Sequence, residues 1–292
     1  MSYGALLRSA AGYPVQHFDR IDSTNAEARR LADDGERGPL WLWADEQTGG
    51  KGRLGRNWVS EPGNLYATLL FSISARPEVA AQVSFVAALA VHDMVMALRP
   101  ELKPLIKWPN DVLIGGAKFC GVLPEVAGSE PTRIAIGCGV NVAHAPKGMP
   151  YPVTWLNTSS LHHSSARHPS EGWGPAASGV PAFAGMTEQK TTVESVLQEL
   201  ALNLSNRLKL WEEGRGFPAI RQDWGERALG LGGSVTAMQG TKEIHGVFTG
   251  LAADGALILT AASGAVTHIH SGEVKFAALE AIRETTMSQT SR

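Results

Sequence analysis

Cysteine is nearly absent. The 292 residues contain two, Cys120 and Cys138, without the paired spacing of metal ligands, so neither a disulfide framework nor a zinc site is expected and a reducing cytoplasm fits. An excess of one charge is missing too: 26 Lys and Arg against 28 Asp and Glu leave −2, which excludes a polybasic nucleic-acid binder on bulk electrostatics and makes any anion site a local one. No eighteen consecutive apolar residues occur, and the N-terminus has no basic stretch followed by an apolar run ending in small residues, so neither a membrane span nor an export signal is expected. Hydrophobic residues still make up 43%, which excludes a disordered chain. The length allows one large domain and a small one, with cores that need no staples.

Apolar patterning then divides the chain. Ser23-Thr24-Asn25 supplies capping hydroxyls before a run of helix formers from Ala26 to Ala32. Strands are expected at Leu40 to Ala44 and Asn64 to Ile73, and a helix over Val79 to Leu98. Leu105 to Ile114, Gly115-Gly116 and Ala117 to Leu123 read as a hairpin with a glycine turn; a strand follows over Arg133 to Val142, then helices over Val193 to Trp211 and Phe217 to Ala228. The order mixes strands and helices without strict alternation, so the fold class is α+β. From Leu229 the texture changes to short glycine-punctuated strands at Ser234 to Met238, Ile244 to Leu251, Ala256 to Thr260 and Val266 to His270, the pattern of a small barrel. The expected division is 1–228 for a catalytic domain, 229–280 for the barrel and 281–292 for a flexible tail. Residues 157–192 are rich in Ser, Gly, Pro, Ala and His without hydrophobic period, and read as a disordered insertion; His162, His163 and His168 there are more simply solvated than metal ligands.

Gln47-Thr48-Gly49-Gly50-Lys51-Gly52-Arg53-Leu54-Gly55-Arg56-Asn57-Trp58 threads three cations through four glycines and closes on an aromatic ring. Glycines let a backbone approach a phosphate, and the cations supply charge-assisted hydrogen bonds of about 1.5–3 kcal/mol each. Gly50-x-Gly52-x-x-Gly55 matches the spacing of a dinucleotide fingerprint, but a helix should follow, and Asn57 to Asn64 holds Pro62, Gly63 and no amphipathic period. A Gly-Lys-Ser/Thr ending is absent, which excludes a Walker A loop. The segment reads as a mobile anion-binding loop between two strands.

Four signals stand in order: Ser23-Thr24-Asn25, the glycine-basic loop, Lys107-Trp108-Pro109-Asn110-Asp111 with Lys118 beyond it, and Gly137-Cys138-Gly139-Val140-Asn141. Together they resemble the biotin protein ligases (biotin–[acetyl-CoA-carboxylase] ligases), closely over Phe18 to Val142 and loosely through the barrel, where Ser271-Gly272-Glu273-Val274 is similar to the family's closing strand. The resemblance implies a mixed-sheet catalytic domain of the biotin/lipoate ligase type followed by an SH3-like β-barrel. It implies a reaction in which ATP and Mg²⁺ activate biotin as biotinyl-5′-AMP, and biotin then passes to one lysine of a carboxylase's biotin carboxyl carrier domain.

That chemistry brings a carboxylate against a triphosphate, so both charges need neutralising and water must be excluded. Arg53 is the first choice for bridging the biotin carboxylate and the α-phosphate, with Arg56 nearer the nucleotide and Lys118 stabilising charge at phosphorus. In the family the ring equivalent to Trp58 stacks on adenine. Asn110 and Asn141 offer the amide pair that an adenine edge requires, though both could instead pin turns. Ser23, Thr24, Asn25 and Gln47 suit the polar ureido ring of biotin, and backbone near Gly50, Lys51 and Gly121 closes the pocket. Helix capping is the plainer role for Ser23 and Thr24. The carrier lysine must attack as a free amine, which near neutral pH costs about 4 kcal/mol; Asp111 either orients or deprotonates that amine, or holds Mg²⁺.

Lys51 stands where the family usually has arginine, keeping the charge but losing the planar fork. No helix-turn-helix segment precedes Ser23, so a DNA-binding repressor is not expected. A lipoate or octanoate ligase of the same fold and a catalytically silent biotin-binding protein are the competing readings; the oligomeric state, monomer or homodimer, stays open.

Overall fold

Runs of β-branched, aromatic and leucine residues broken by glycine form strands, and in the computed structural model, which describes residues 7–158, 190–239, 242–272, 274–277 and 279–280, they assemble into two sheets. The larger runs in spatial order β1 (Leu7–Arg8), β2 (Pro14–Ile21), β3 (Leu40–Gln47), β4 (Leu65–Ile73), β8 (Thr132–Val140), β7 (Ala117–Ser129), β6 (Asp111–Ile114), β5 (Leu105–Lys107). It is mixed: β2 and β3 are parallel, with Ile21 beside Gln47, and the other neighbours are antiparallel. A parallel pair needs a crossover, supplied here by helix α1 (Thr24–Asp33). Strand β2 has no counterpart in the sequence expectations, because Gln16, His17, Asp19 and Arg20 dilute its apolar signal.

Each face of this sheet carries its own core. On one, Ala28 and Ala32 of α1 lie against Leu42, Leu70, Ala127 and Ala135, small residues that let the helix approach closely. The other face buries Trp41, Leu65, Leu69, Ile134 and Ile136 together with helices α2 (Val83–Leu98) and α3 (Val193–Trp211). Pro77–Leu98 is long and apolar enough to cross a bilayer, at a mean hydropathy of 1.6, but most of it is buried in this core. Its first turns, Pro77–Gln82, are 3-10 rather than the expected start of the helix.

The second sheet is antiparallel, in the order β12 (Val266–Ile269), β11 (Leu257–Thr260), β10 (Lys242–Leu251), β9 (Ser234–Gln239), β13 (Val274–Phe276). Helix α4 (Phe217–Glu226) joins the two units: Trp224 meets Phe85 of α2 edge to face at 5.6 Å and Phe248 of β10 at 6.5 Å.

Two further expectations change. The continuous strand expected over Leu105 to Ile114 is two short strands, β5 and β6, folded against each other with Leu105 beside Leu113 and Lys107 beside Asp111. Pro109 has no N–H for a ladder, so the chain turns there. The closing strand begins at Val274 rather than Ser271, and Glu273 lies outside the described residues. Most of the expected insertion, with His162, His163 and His168, and the tail 281–292 also lie outside them. The described flanks of the insertion meet: Asn157 Nδ2 donates to Thr191 O (2.7 Å), and Thr191 N donates to Asn157 Oδ1 (3.0 Å).

Candidate active site

The site begins where β2 runs into α1. Ser23 is the N-cap of the helix, extended at φ −162, and its hydroxyl accepts from Ala26 N. Asp22, one residue earlier, accepts from Ser23 N (2.7 Å) and holds the Arg30 guanidinium at two points, 2.8 and 2.9 Å. Hydrogen bonding from Arg30 holds the Asp22 carboxyl at about 2, against the usual 3.8.

Thr24, Asn25 and Gln47 share one buried network. Gln47 Oε1 accepts from Thr24 N (2.9 Å) and Thr24 Oγ1 (3.1 Å), while its Nε2 donates to Ser60 Oγ (3.0 Å), which donates on to Trp58 O (3.1 Å). From β4, the fully buried Thr68 hydroxyl can donate to Thr24 Oγ1 (2.8 Å) or Asn25 Oδ1 (2.7 Å). Asn25 Nδ2 reaches Glu125 Oε2 at 2.8 Å and Leu123 O at 3.2 Å, which ties the helix start to β7. Thr24, Asn25 and Gln47 are thereby oriented before any ligand arrives.

The glycine-basic stretch folds as a small hairpin of its own. Trp58 N donates to Gly50 O (3.0 Å), Gly52 N to Arg56 O (2.7 Å), and Lys51 bridges to Asn57. At its tip Arg53–Gly55 makes a 3-10 turn in which Leu54 sits at φ 58 and is 81% exposed. Arg53 turns inward, donating to Asn110 Oδ1 at 3.3 Å. Burial lowers the affinity of its guanidinium for the proton, opposed by the nearby Asp111 charge and reinforced by Arg56. Asn110, 3% exposed, also donates through Nδ2 to Val122 O, so its amide holds Arg53 in position.

Strands β7 and β8 form the floor, where Gly121 and Gly139 lie side by side. The Trp58 indole rests on this glycine pair: a Cβ at Gly139 would come within 2.5 Å of ring atoms Cε2 and Nε1, and one at Gly121 within 3.0 Å of Cζ3. In this structure the ring therefore occupies the floor itself. Lys118 Nζ stands 5.4 Å from the Trp58 ring centroid, 5.9 Å from that of Tyr151, and 2.7 Å from Asp111 Oδ1.

One cavity of about 500 Å³ collects these groups. Of the residues singled out in the sequence, Ser23, Thr24, Asn25, Gln47, Lys51, Arg53, Arg56, Trp58, Asn110, Asp111, Lys118 and Gly121 line it. Gly50 and Asn141 do not. Gly50 is packed under the hairpin, where a Cβ would meet Ser60 Oγ at 2.6 Å and Trp58 O at 2.7 Å. Asn141 is 2% exposed and donates through Nδ2 to Thr154 O (3.0 Å), pinning the segment that carries Tyr151 alongside β7. Thr68, Ser60, Glu125 and Tyr151 escaped the sequence reading, since each is an ordinary strand or loop residue that only the fold brings here. Cys120 and Cys138 are free and buried; burial pushes the Cys138 thiol up to about 12 and raises Cys120 as well, so neither serves as a nucleophile near neutral pH. Among the described residues the metal-type cluster is His17, Asp19 and Asp45, away from the cavity.

Residues 17–141 match the biotin/lipoate A/B protein ligase family, and residues 230–276 match the biotin protein ligase C-terminal domain. The chain is 39% identical over 248 residues to a biotin–[acetyl-CoA-carboxylase] ligase of Paracoccus denitrificans, covering 84% of this chain and 93% of that protein. It is 26% identical to the bifunctional ligase/repressor BirA of Escherichia coli over 87% of this chain and 71% of that one. The biotin protein ligase of Aquifex aeolicus, solved with biotin and ATP, superposes with a TM-score of 0.68 at 25% identity, over 90% of this chain and 97% of that chain. With the mixed sheet, the antiparallel C-terminal unit of SH3-like type and this degree of identity in agreement, the chain belongs to the biotin protein ligase family.

Proposed function

We propose that this chain activates biotin with ATP as biotinyl-5′-AMP and transfers it to the acceptor lysine of a biotin carboxyl carrier domain. The observation that carries this reading is the convergence on one cavity of Arg53, Arg56 and Lys118 with the oriented polar network of Ser23, Thr24 and Gln47. The network end is buried and polar, suited to a ureido ring; the cation end is suited to a carboxylate meeting a phosphate.

In the first step a carboxylate oxygen of biotin bonds to the α-phosphorus, the bond from that phosphorus to the bridging oxygen breaks, and pyrophosphate leaves with the electron pair. Arg53, held by Asn110, neutralises carboxylate and α-phosphate together, and its depressed proton affinity still leaves it cationic. Lys118 exchanges its partner Asp111 for the phosphoryl oxygens as charge develops there. In the second step the carrier amine attacks the acyl carbon, the acyl–oxygen bond breaks, AMP departs with the electron pair, and the amine nitrogen gives up its proton to Asp111 or to water. Asp111, at the same wall, orients that amine. Asp111 would alternatively hold Mg²⁺, a hard cation that suits a carboxylate, and the ion would supply charge neutralisation at the triphosphate. Asn25 and Asn141 act by holding the helix start and the Tyr151 segment. Free, buried cysteines suit a reducing compartment, and we assign the chain to the cytoplasm.

Biotin-dependent release of pyrophosphate from ATP, run beside lipoate and octanoate, tests the reading. Release with biotin alone, reduced about 10²–10³-fold in Lys118→Ala, is expected. Release with lipoate or octanoate instead, or with no acid at all, would overturn it.

A further inference from the structure

Glu125 lines the cavity beside the start of α1, where its carboxylate is held at two points. Asn25 Nδ2 donates to Glu125 Oε2 (2.8 Å) and to Leu123 O (3.2 Å), while Arg29, one helical turn later, donates to Glu125 Oε1 (3.1 Å). The Arg29 side chain is half exposed, so that ion pair adds little. The Asn25 contact has a directional consequence, because a carboxylate and a carbonyl only accept. The amide nitrogen must face them, and the amide oxygen is fixed on the other side. There Asn25 Oδ1 lies so close to β8 that a Cβ at Gly137 would come within 2.3 Å of it, and 2.7 Å separates it from the buried Thr68 hydroxyl.

Thr68 has one hydroxyl proton and two acceptors in reach, Asn25 Oδ1 and, at 2.8 Å, Thr24 Oγ1. The Thr24 proton has its own acceptor, Gln47 Oε1 at 3.1 Å. We propose that Glu125 is a positioning residue for the biotin end of the site. It fixes the Asn25 amide with its oxygen toward Thr68, Asn25 takes the Thr68 proton, and the Thr24 oxygen is left to accept from a ureido N–H. The inference rests on the ligase reading and on the ureido ring lying at the network end. With the amide reversed, its nitrogen would donate to Thr68, the Thr68 proton would turn to Thr24, and the oxygen that serves the ligand would be filled. Reversal also sets Asn25 Oδ1 against the Glu125 carboxylate and the Leu123 carbonyl, so the charge at Glu125 opposes it. Glu125→Gln supplies an N–H that the reversed amide can use, and removes that opposition without changing the size of the side chain.

Titration calorimetry of biotin into the full chain tests this, with the KM for biotin and for ATP in pyrophosphate release as the second readout. Glu125→Gln is expected to weaken biotin binding about tenfold and to raise the KM for biotin similarly, while kcat and the KM for ATP stay within about twofold. In a Thr68→Val background, where no proton can be turned toward Thr24, Glu125→Gln should change biotin affinity by less than about twofold. An equal loss in both backgrounds would mark a merely structural role and overturn the proposal. If Thr68→Val does not fold, the same comparison in Thr24→Val, which lacks the oxygen to be filled, has the same two outcomes. Glu125→Gln binding biotin like the wild type overturns this inference and leaves the ligase reading standing. A wild type that binds no biotin overturns both.

Discussion

Glycine at position 139 is set by an aromatic ring rather than by a turn. The Trp58 indole lies over Gly139 and Gly121, with its Nε1 buried and without a hydrogen-bond partner among the described residues. Alanine at position 139 would place a methyl 2.5 Å from the ring, so the indole must move. Gly139→Ala is therefore expected to shift the tryptophan emission and weaken ATP binding about tenfold, or about 1.4 kcal/mol, with biotin affinity nearly unchanged. Equal ATP affinity in the variant would show that the floor has no part in nucleotide binding. The residue-level signals in the sequence were those packed into short local motifs: Arg53 and Arg56 among glycines, Asp111 after Trp-Pro-Asn, and Lys118. Thr68 and Glu125 carried no such signal, because a threonine in a strand and a glutamate in a hairpin acquire a role only through partners 43 and 100 residues away.

At the scale of elements, helix α1 is the part on which the site hangs, and its start is held electrostatically. Arg30 joins Asp22, before the cap, to Glu27 in the first turn. Because Asp22 titrates at about 2 when folded and near its usual 3.8 when unfolded, the unfolded chain binds more protons between those values. The contribution is fully present above about pH 4 and is lost as pH falls toward 2. The pair is half exposed, so solvent screening keeps its worth under about 1 kcal/mol. An NMR titration of the Asp22 carboxyl should give the low midpoint, and Asp22→Asn should flatten the acid limb of stability against pH. A midpoint near 3.8 would show the ion pair to be absent in solution. The helix start and the strands β3 and β4 were legible from hydroxyl capping and apolar runs. Strand β2 was not, since a polar strand near a sheet edge is recognised by its partner, and the break between β5 and β6 was hidden by an apolar run on both sides of Pro109.

Across the whole molecule, the two ends of the expected insertion are joined by the Asn157 amide, which bonds Thr191 through both its oxygen and its nitrogen. A deletion of residues 159–189 closed by a short glycine linker should therefore keep the thermal midpoint within a few degrees and leave biotin-dependent pyrophosphate release intact. A variant that fails to fold would show that the segment contributes to the core. Sequence alone determined the family, the α+β class, most of the elements in their order and the candidate cations, because local periodicity, capping and glycine-rich motifs are written in neighbouring residues. Only the tertiary structure decided which groups face one another: the Thr24–Gln47–Ser60 relay, the glycine floor under Trp58, and Asn141 turned away to Thr154. Those depend on strand register and on which face a side chain takes, quantities set by long-range packing and not by any residue's immediate neighbours.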